Sequence, residues 1–198
     1  MGHAPENTVE SFEKAIALGC DELETDVWLA ADGRLVISHD PPPSGATLLS
    51  MDDVLDLCHG RIGVNVELKC EHDDGRARRT GAAAAARIAG RGEAAVYVSS
   101  FWWSALEGAR GAAPGVRRAF AFNDSPDLDA LVASAKALGL WSLHPNRAYL
   151  TPELVAAAHG ASLKVNVWTV NEPAEIAAFV ALGVDGIMSN WPERVPKS

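Results

Sequence analysis

The chain has 198 residues, of which 48% are hydrophobic and 22% charged, and its formal net charge is -9. This size and composition predict one globular domain over residues 1–198 with a sizeable core. The acidic balance and the lack of a Lys/Arg-rich run argue against a nucleic-acid partner and against docking on an anionic membrane. The negative net charge does not argue against a small phosphate ligand, because a bound cation can reverse the local charge.

The location of the protein is indicated only weakly by its sequence. There is no signal-peptide pattern at the N-terminus and no apolar run of about 18 residues, so we expect no membrane association. Cys20, Cys58 and Cys70 are widely spaced and odd in number, which favours free thiols in a reducing compartment. We therefore expect a cytoplasmic protein.

Helical and strand-like patterns alternate along the whole chain. The first element is a helix over 8–18. We expect Asn7 to be its N-cap, with Glu10 three residues later as the partner of the cap. Further helices are predicted over 50–59, 75–90, 103–111, 127–138, 151–159 and 172–182. Strands are predicted over 21–29, 35–39, 64–69, 96–101, 117–122, 140–145, 164–170 and 186–190.

This alternation predicts βαβ units and a parallel sheet. A dinucleotide-binding fold has no support, because no Gly-rich fingerprint follows any strand. The predicted strands number seven core strands plus the arm at 35–39, whereas a (β/α)8 barrel needs eight core strands. We therefore expect an α/β fold, a TIM (β/α)8 barrel that lacks its first strand in this chain.

Three predicted strands carry polar side chains on one face, because strand residues alternate between faces. In a barrel this face lines the interior near the mouth, where carboxylates and lysines cannot stay dry and unpaired. A hard cation bound by Glu24, Asp26 and Glu67 would satisfy these carboxylates, and oxygen-only ligands suit Mg2+ or Ca2+. The polar sets are Glu22, Glu24 and Asp26; Asn65, Glu67 and Lys69; and Lys164, Asn166 and Trp168.

His39 joins this group if Asp32-Gly33 forms a two-residue hairpin turn, since residue 26 would then lie opposite residue 39. Cross-strand neighbours are about 5 Å apart at Cβ, which would place the imidazole for proton transfer near neutral pH. Simpler interpretations exist for each feature. His39 could be a hairpin-tip residue, a Glu-x-Asp pair is often solvated surface, and Trp168 or Trp191 could serve packing alone.

Taken in order, these residues resemble the glycerophosphodiester phosphodiesterase family. The matching pieces are A-P-E-N-T (4–8), F-x-x-A-x-x-L-G-C-D (12–21), E-T-D-V (24–27), A-D-G-R-L-V-I-S-H-D (31–40), E-L-K (67–69), S-F (100–101), V-W-T-V-N (167–171) and G-V-D-G-I-M-S-N-W-P (183–192). Together they span nearly the whole chain, and their combination is highly specific although each piece alone is weak.

The resemblance implies a barrel that hydrolyses glycerophosphodiesters, as small-molecule substrates, to sn-glycerol 3-phosphate and an alcohol with a divalent cation. It places Glu24, Asp26 and Glu67 on the family's metal ligands. It also places His39 on one of two catalytic histidines, Lys69 near the phosphate, and Trp168 on the pocket lining.

The chain departs from the family pattern at two places. The family begins with a strand that ends in His-Arg-Gly before P-E-N-T. This strand corresponds to the one missing from the strand count. We therefore expect an N-terminally truncated active site with reduced activity. Only about ten residues (41–50) follow His39 before the next helix, where the family often has a longer insertion.

Three functional hypotheses follow. The first is an active phosphodiesterase, and the second is a non-catalytic relative that binds metal and phosphoester. A barrel enzyme of different chemistry ranks last, because the segments around Asn171 and Asn190 lack the glycines of a phosphate loop. The sequence leaves open the alcohol released, Mg2+ against Ca2+, and the oligomeric state.

Overall fold

A computed structural model of the chain describes residues 2–43 and 45–197. Helices and strands alternate as the sequence predicts. Residue contacts divide the chain into one unit of His3–Arg118 and another of Ala119–Ser198 that also includes Gly2. Each unit is described by itself below.

The first unit opens on a helix and contains four strands in the order β2-β1-β3-β4. Strand β2 is antiparallel to β1, whereas β1, β3 and β4 run parallel to one another. Its elements are α1 (Val9–Ala17), β1 (Glu22–Leu29), β2 (Leu35–Ile37), α2 (Met51–Cys58), β3 (Gly63–Leu68), α3 (Asp74–Arg91), β4 (Val96–Ser100) and α4 (Trp103–Ala112).

The core of the first unit lies between these strands and their helices. Val27, Val64, Val66 and Val98 are fully buried, and β1 and β3 contact α3. Because strand side chains alternate, burying this aliphatic face turns the polar residues of β1 and β3 to the other face. The sequence pattern therefore sets the side of the sheet on which the polar site forms.

Helices α3 and α4 approach each other closely through two glycines. A Cβ on Gly81 would lie 1.8 Å from the carbonyl oxygen of Ala105, and one on Gly108 would lie 2.0 Å from that of Arg78. Side chains larger than hydrogen are therefore excluded at both positions.

The second unit continues the alternation with four parallel strands in the order β5-β6-β7-β8. Two short 3-10 turns occupy Arg147–Tyr149 and Pro192–Arg194. The elements are β5 (Arg118–Phe122), α5 (Leu128–Leu138), β6 (Ser142–Pro145), α6 (Pro152–Gly160), β7 (Lys164–Val167), α7 (Pro173–Leu182) and β8 (Gly186–Ile187).

Lys164 is exposed at the start of β7 and does not join the interior polar set expected from its strand position. Its Nζ lies 2.6 Å from Asp185 Oδ1, while Asp185 Oδ2 contacts His159 Nε2 at 2.8 Å and accepts the Val165 N–H at 2.9 Å. The expectation was wrong because a long amine at a strand end reaches water and a surface carboxylate more easily than a barrel interior.

All three cysteines are free thiols. Burial raises the pKa of Cys58 to about 11 and that of Cys70 to about 12. Among residues 2–43 and 45–197, the helices are all too short or too polar to cross a bilayer.

Candidate functional site

The predicted carboxylates converge on neighbouring strands. Asp26 on β1 pairs in register with Glu67 on β3, and Glu24 pairs with Asn65 two residues earlier on the same strands. One carboxylate oxygen from each of Glu24, Asp26 and Glu67 lies within 4.8 Å of the other two. Their approach follows from the register, because in-register side chains of parallel strands share a face.

Lys69 lies against two of these carboxylates. Its Nζ is 3.0 Å from Asp26 Oδ1 and also forms an ion pair with Glu67 Oε1. Its backbone N–H donates to Val27 O at 2.9 Å, which continues the β1–β3 pairing just beyond β3. Burial disfavours the charged amine, but the Glu67 and Asp26 charges outweigh this and raise the pKa of Lys69. Lys69 is therefore a fixed positive charge within the acidic cluster.

The three carboxylates carry more negative charge than one lysine balances. Loss of hydration around the carboxylate and the nearby Glu67 and Asp26 charges raise the pKa of Glu24 well above its usual range. Burial also raises the pKa of Glu67, against the opposing effect of Lys69. Nearby like charges disfavour ionisation, so an additional positive charge here would stabilise all three ionised groups.

The donor set fits a hard divalent cation. It consists of carboxylate oxygens alone, which Mg2+ and Ca2+ prefer over nitrogen or sulfur ligands. Two further oxygens, Asn65 Oδ1 and Ser99 Oγ, are buried and have no hydrogen-bond partner within the described part of the chain. Asn65 is in register with Glu24 and Ser99 with Glu67, so both flank the cluster at points where water or a ligand could bind.

The hairpin that leads to His39 differs from the expected one. Leu29 pairs with Leu35 and Val27 with Ile37, and the loop ends at Gly33, whose φ is 85°. The prediction of a two-residue Asp32-Gly33 turn, with Asp26 opposite His39, was therefore wrong. The Ala30 N–H donates to Arg34 O at 2.9 Å, which closes a three-residue loop with glycine in the left-handed region. Ser38 N donates to Asp26 O at 3.1 Å.

His39 consequently lies one residue beyond the position opposite Asp26. Its side chain is 54% exposed, and its Nδ1 is 3.1 Å from Asp40 Oδ1. It is still near enough that a positive charge on its imidazole would oppose the rise in the pKa of Glu67. The structure therefore places His39 at the exposed margin of the carboxylate cluster.

Trp168 belongs to the second unit, where it follows β7. Its Nε1 donates to the backbone oxygen of His144 at 2.8 Å, and the side chain is half-buried. His144 itself is 1% exposed, and burial lowers its pKa to about 3. The indole is therefore held in place by one end while part of its ring remains accessible.

The side chain of Asn7 has a different role from the helix cap that the sequence indicated. Thr8 caps α1 and forms a capping box with Ser11, so the expected cap of Asn7 with Glu10 was wrong. Asn7 instead donates from Nδ2 to Asp26 Oδ2 at 2.8 Å. The signal in the sequence was the competing pair of hydroxyl residues at 8 and 11, which can cap each other reciprocally.

Comparisons with known proteins identify the family of the chain. The glycerophosphoryl diester phosphodiesterase family matches residues 1–57 and 41–194. A glycerophosphodiester phosphodiesterase of Bacillus altitudinis is 28% identical over 99% of this chain and 93% of its own. A solved relative from Silicibacter pomeroyi DSS-3 is 28% identical with a TM-score of 0.83, covering 98% of this chain and 88% of that one.

The same fold occurs in an Oleispira antarctica phosphodiesterase solved with the product sn-glycerol-3-phosphate. It is 24% identical, its TM-score is 0.86, and the match covers 98% of this chain and 91% of that chain. The chain therefore belongs to the glycerophosphoryl diester phosphodiesterase family of (β/α)-barrel phosphoric diester hydrolases.

Proposed function

We propose that this chain hydrolyses glycerophosphodiesters to sn-glycerol 3-phosphate and an alcohol, with a divalent cation held by Glu24, Asp26 and Glu67. The observation that carries the proposal is the convergence of these carboxylates, with Lys69 among them, in a member of this family. The name of the Bacillus altitudinis relative and the product bound in the Oleispira antarctica protein support the same reaction. Because the family match spans both units, we also propose that residues 1–198 act as one domain.

The cation would be Mg2+ or Ca2+, held by oxygen atoms alone. When bound, it supplies positive charge that neutralises phosphoryl oxygens and acidifies an attacking hydroxyl or water. Asp26 and Glu67 contribute fixed oxygens to this site because Lys69 contacts both of them.

Lys69 has the second task of binding the phosphate. Its side chain is only 20% exposed, and two carboxylates keep its ammonium group charged. A fixed cation at the phosphodiester stabilises the additional negative charge that develops at phosphorus in the transition state. We therefore assign Lys69 to substrate binding and charge stabilisation.

His39 is proposed to move a proton. Its Nδ1 lies 3.1 Å from Asp40 Oδ1, which leaves Nε2 available as a proton donor or acceptor. The exposure of the side chain gives it access to a substrate hydroxyl or leaving-group oxygen. One positioned acid or base contributes typically about 10²–10⁴-fold in rate.

Trp168 is proposed to line the substrate pocket. Its indole is fixed through Nε1 and remains half-exposed, which suits contact with the carbon atoms of a glycerol group or an alcohol.

The test is release of glycerol 3-phosphate from glycerophosphocholine by purified protein. We expect activity that a chelator removes and that Mg2+ or Ca2+ restores. Glu67→Gln should abolish turnover, and His39→Ala should lower it about 10²–10⁴-fold. Glu107→Gln is the matched control, because that exposed carboxylate on α4 pairs only with surface Arg78 in the ion pairs described.

Full activity of Glu67→Gln, or activity indifferent to chelation, would refute the proposed metal site. Binding of cation and glycerol 3-phosphate without any turnover would instead identify a non-catalytic relative.

A further inference from the structure

The side chain of Asn7 makes three hydrogen bonds to β1, at the point where the proposed cation site lies. Its Nδ2 donates to Asp26 Oδ2 at 2.8 Å. Its Oδ1 accepts from the backbone N–H of Asp26 at 3.2 Å and from Thr25 Oγ1 at 2.8 Å. An amide side chain offers two donor and two acceptor positions, so these bonds to two adjacent residues use three of the four.

The backbone of Asn7 is arranged for this contact rather than for the helix that follows. Its φ is 57°, in the left-handed region that asparagine and glycine tolerate best. Thr8 and Ser11 cap α1 without help from Asn7. The asparagine amide is thereby free of the capping role and faces β1.

The contact fixes the orientation of the Asp26 carboxylate. Lys69 Nζ lies 3.0 Å from Oδ1, and Asn7 Nδ2 lies 2.8 Å from Oδ2, so each oxygen has one donor. Asp26 is 6% exposed, so its carboxylate has little contact with water. An ionised carboxylate has about four lone-pair positions, so two such bonds leave about two for a cation.

We infer that Asn7 is a positioning residue that holds Asp26 in the orientation needed to bind the divalent cation, and that it links cation binding to the segment preceding α1. This inference rests on the proposed function. Groups that orient a metal ligand without touching the metal typically change metal affinity by about 10–100-fold when removed. Asn7 acts on Asp26 by donating to it directly and by fixing the strand backbone at the same residue.

The first experiment compares cation affinity in three proteins by isothermal titration calorimetry with MgCl2 and with CaCl2. Asn7→Gly removes all three bonds while permitting the left-handed backbone, and we expect its affinity to fall about 10–100-fold. Thr8→Ala removes the helix cap in the neighbouring residue without touching Asp26, and we expect affinity within about twofold of wild type. Circular dichroism of the cation-free proteins fixes the folded concentration in each titration.

A second measurement needs no variant. Because coupling between two sites is reciprocal, cation binding should strengthen the Asn7–Asp26 contact. The backbone N–H of Asp26 donates a hydrogen bond to Asn7 Oδ1. We expect hydrogen exchange at this amide to slow when the cation is added. Hydrogen exchange at the Ser11 amide, which donates to Thr8 Oγ1 at 3.2 Å, should slow much less.

The outcomes separate this inference from the proposed function. A wild-type protein that binds neither cation refutes both. Wild-type binding with unchanged affinity in Asn7→Gly, an equal loss in Thr8→Ala, or equal slowing of the Asp26 and Ser11 amides refutes the role of Asn7 alone.

Discussion

Replacing Gly81 by alanine tests the close packing of α3 on α4. The new Cβ would lie 1.8 Å from Ala105 O, whereas real Cβ atoms essentially never approach within 3.0 Å, so the helices must shift apart by at least 1.2 Å (3.0 − 1.8). Overpacking of this kind costs typically about 1–3 kcal/mol, against which alanine recovers about 0.5–1 kcal/mol of helix propensity. We expect a net loss of about 1–2 kcal/mol, or about 2–8 °C in melting temperature for a chain of this length.

The assay is thermal and urea unfolding followed by circular dichroism, with Gly90→Ala as the matched control. Gly90 lies on the same helix, but a Cβ there meets no atom within 4 Å. Alanine at 90 should therefore leave stability unchanged or raise it by up to about 1 kcal/mol. Wild-type stability in Gly81→Ala, or an equal loss in Gly90→Ala, would show that the helices do not meet as closely as described.

Other variants test the acidic cluster and the second unit. Asp26→Ala or Glu67→Ala should abolish calorimetric binding of Mg2+ and Ca2+ while Glu107→Gln keeps it; unchanged affinity in both site variants would remove the assignment. Lys69→Met should weaken inhibition by glycerol 3-phosphate about 10–100-fold, the usual worth of a hydrogen bond to a charged group, and an unaltered inhibition constant would contradict its phosphate role. Burial depresses the pKa of His144 to about 3 from 6.5, so the folded state holds it neutral. Its contribution to stability is therefore complete above pH 6.5 and lost as pH falls toward 3, and the urea midpoint should drop more steeply over that range in wild type than in His144→Gln; parallel curves would refute this.

The order of elements was predictable because apolar periodicity differs between helices and strands. Their ends were less so. The predicted strands 35–39, 164–170 and 186–190 end at Ile37, Val167 and Ile187. Each strand ends where its hydrogen-bond pairing with a neighbouring strand ends. The apolar pattern of one segment does not contain that information.

The site was predictable only in part, for two physical reasons. The convergence of Glu24, Asp26 and Glu67 follows from alternation within each strand and parallel pairing, both of which the sequence indicates. The position of His39 depends on loop length at Gly33, and one residue of register reverses the face on which a strand residue lies. The contact of Asn7 spans 19 residues of sequence, so no local pattern could distinguish it from a helix cap.

The acidic cluster has a consequence for how this protein responds to selection. Three carboxylates share one lysine, and like charges held together oppose folding whenever no cation is bound. Amide substitutions at Glu24 or Glu67 would relieve that repulsion, so a screen for heat resistance in a chelating buffer would favour them. The same screen would thereby select against the proposed cation site, which is the trade-off between stability and activity that functional sites commonly show.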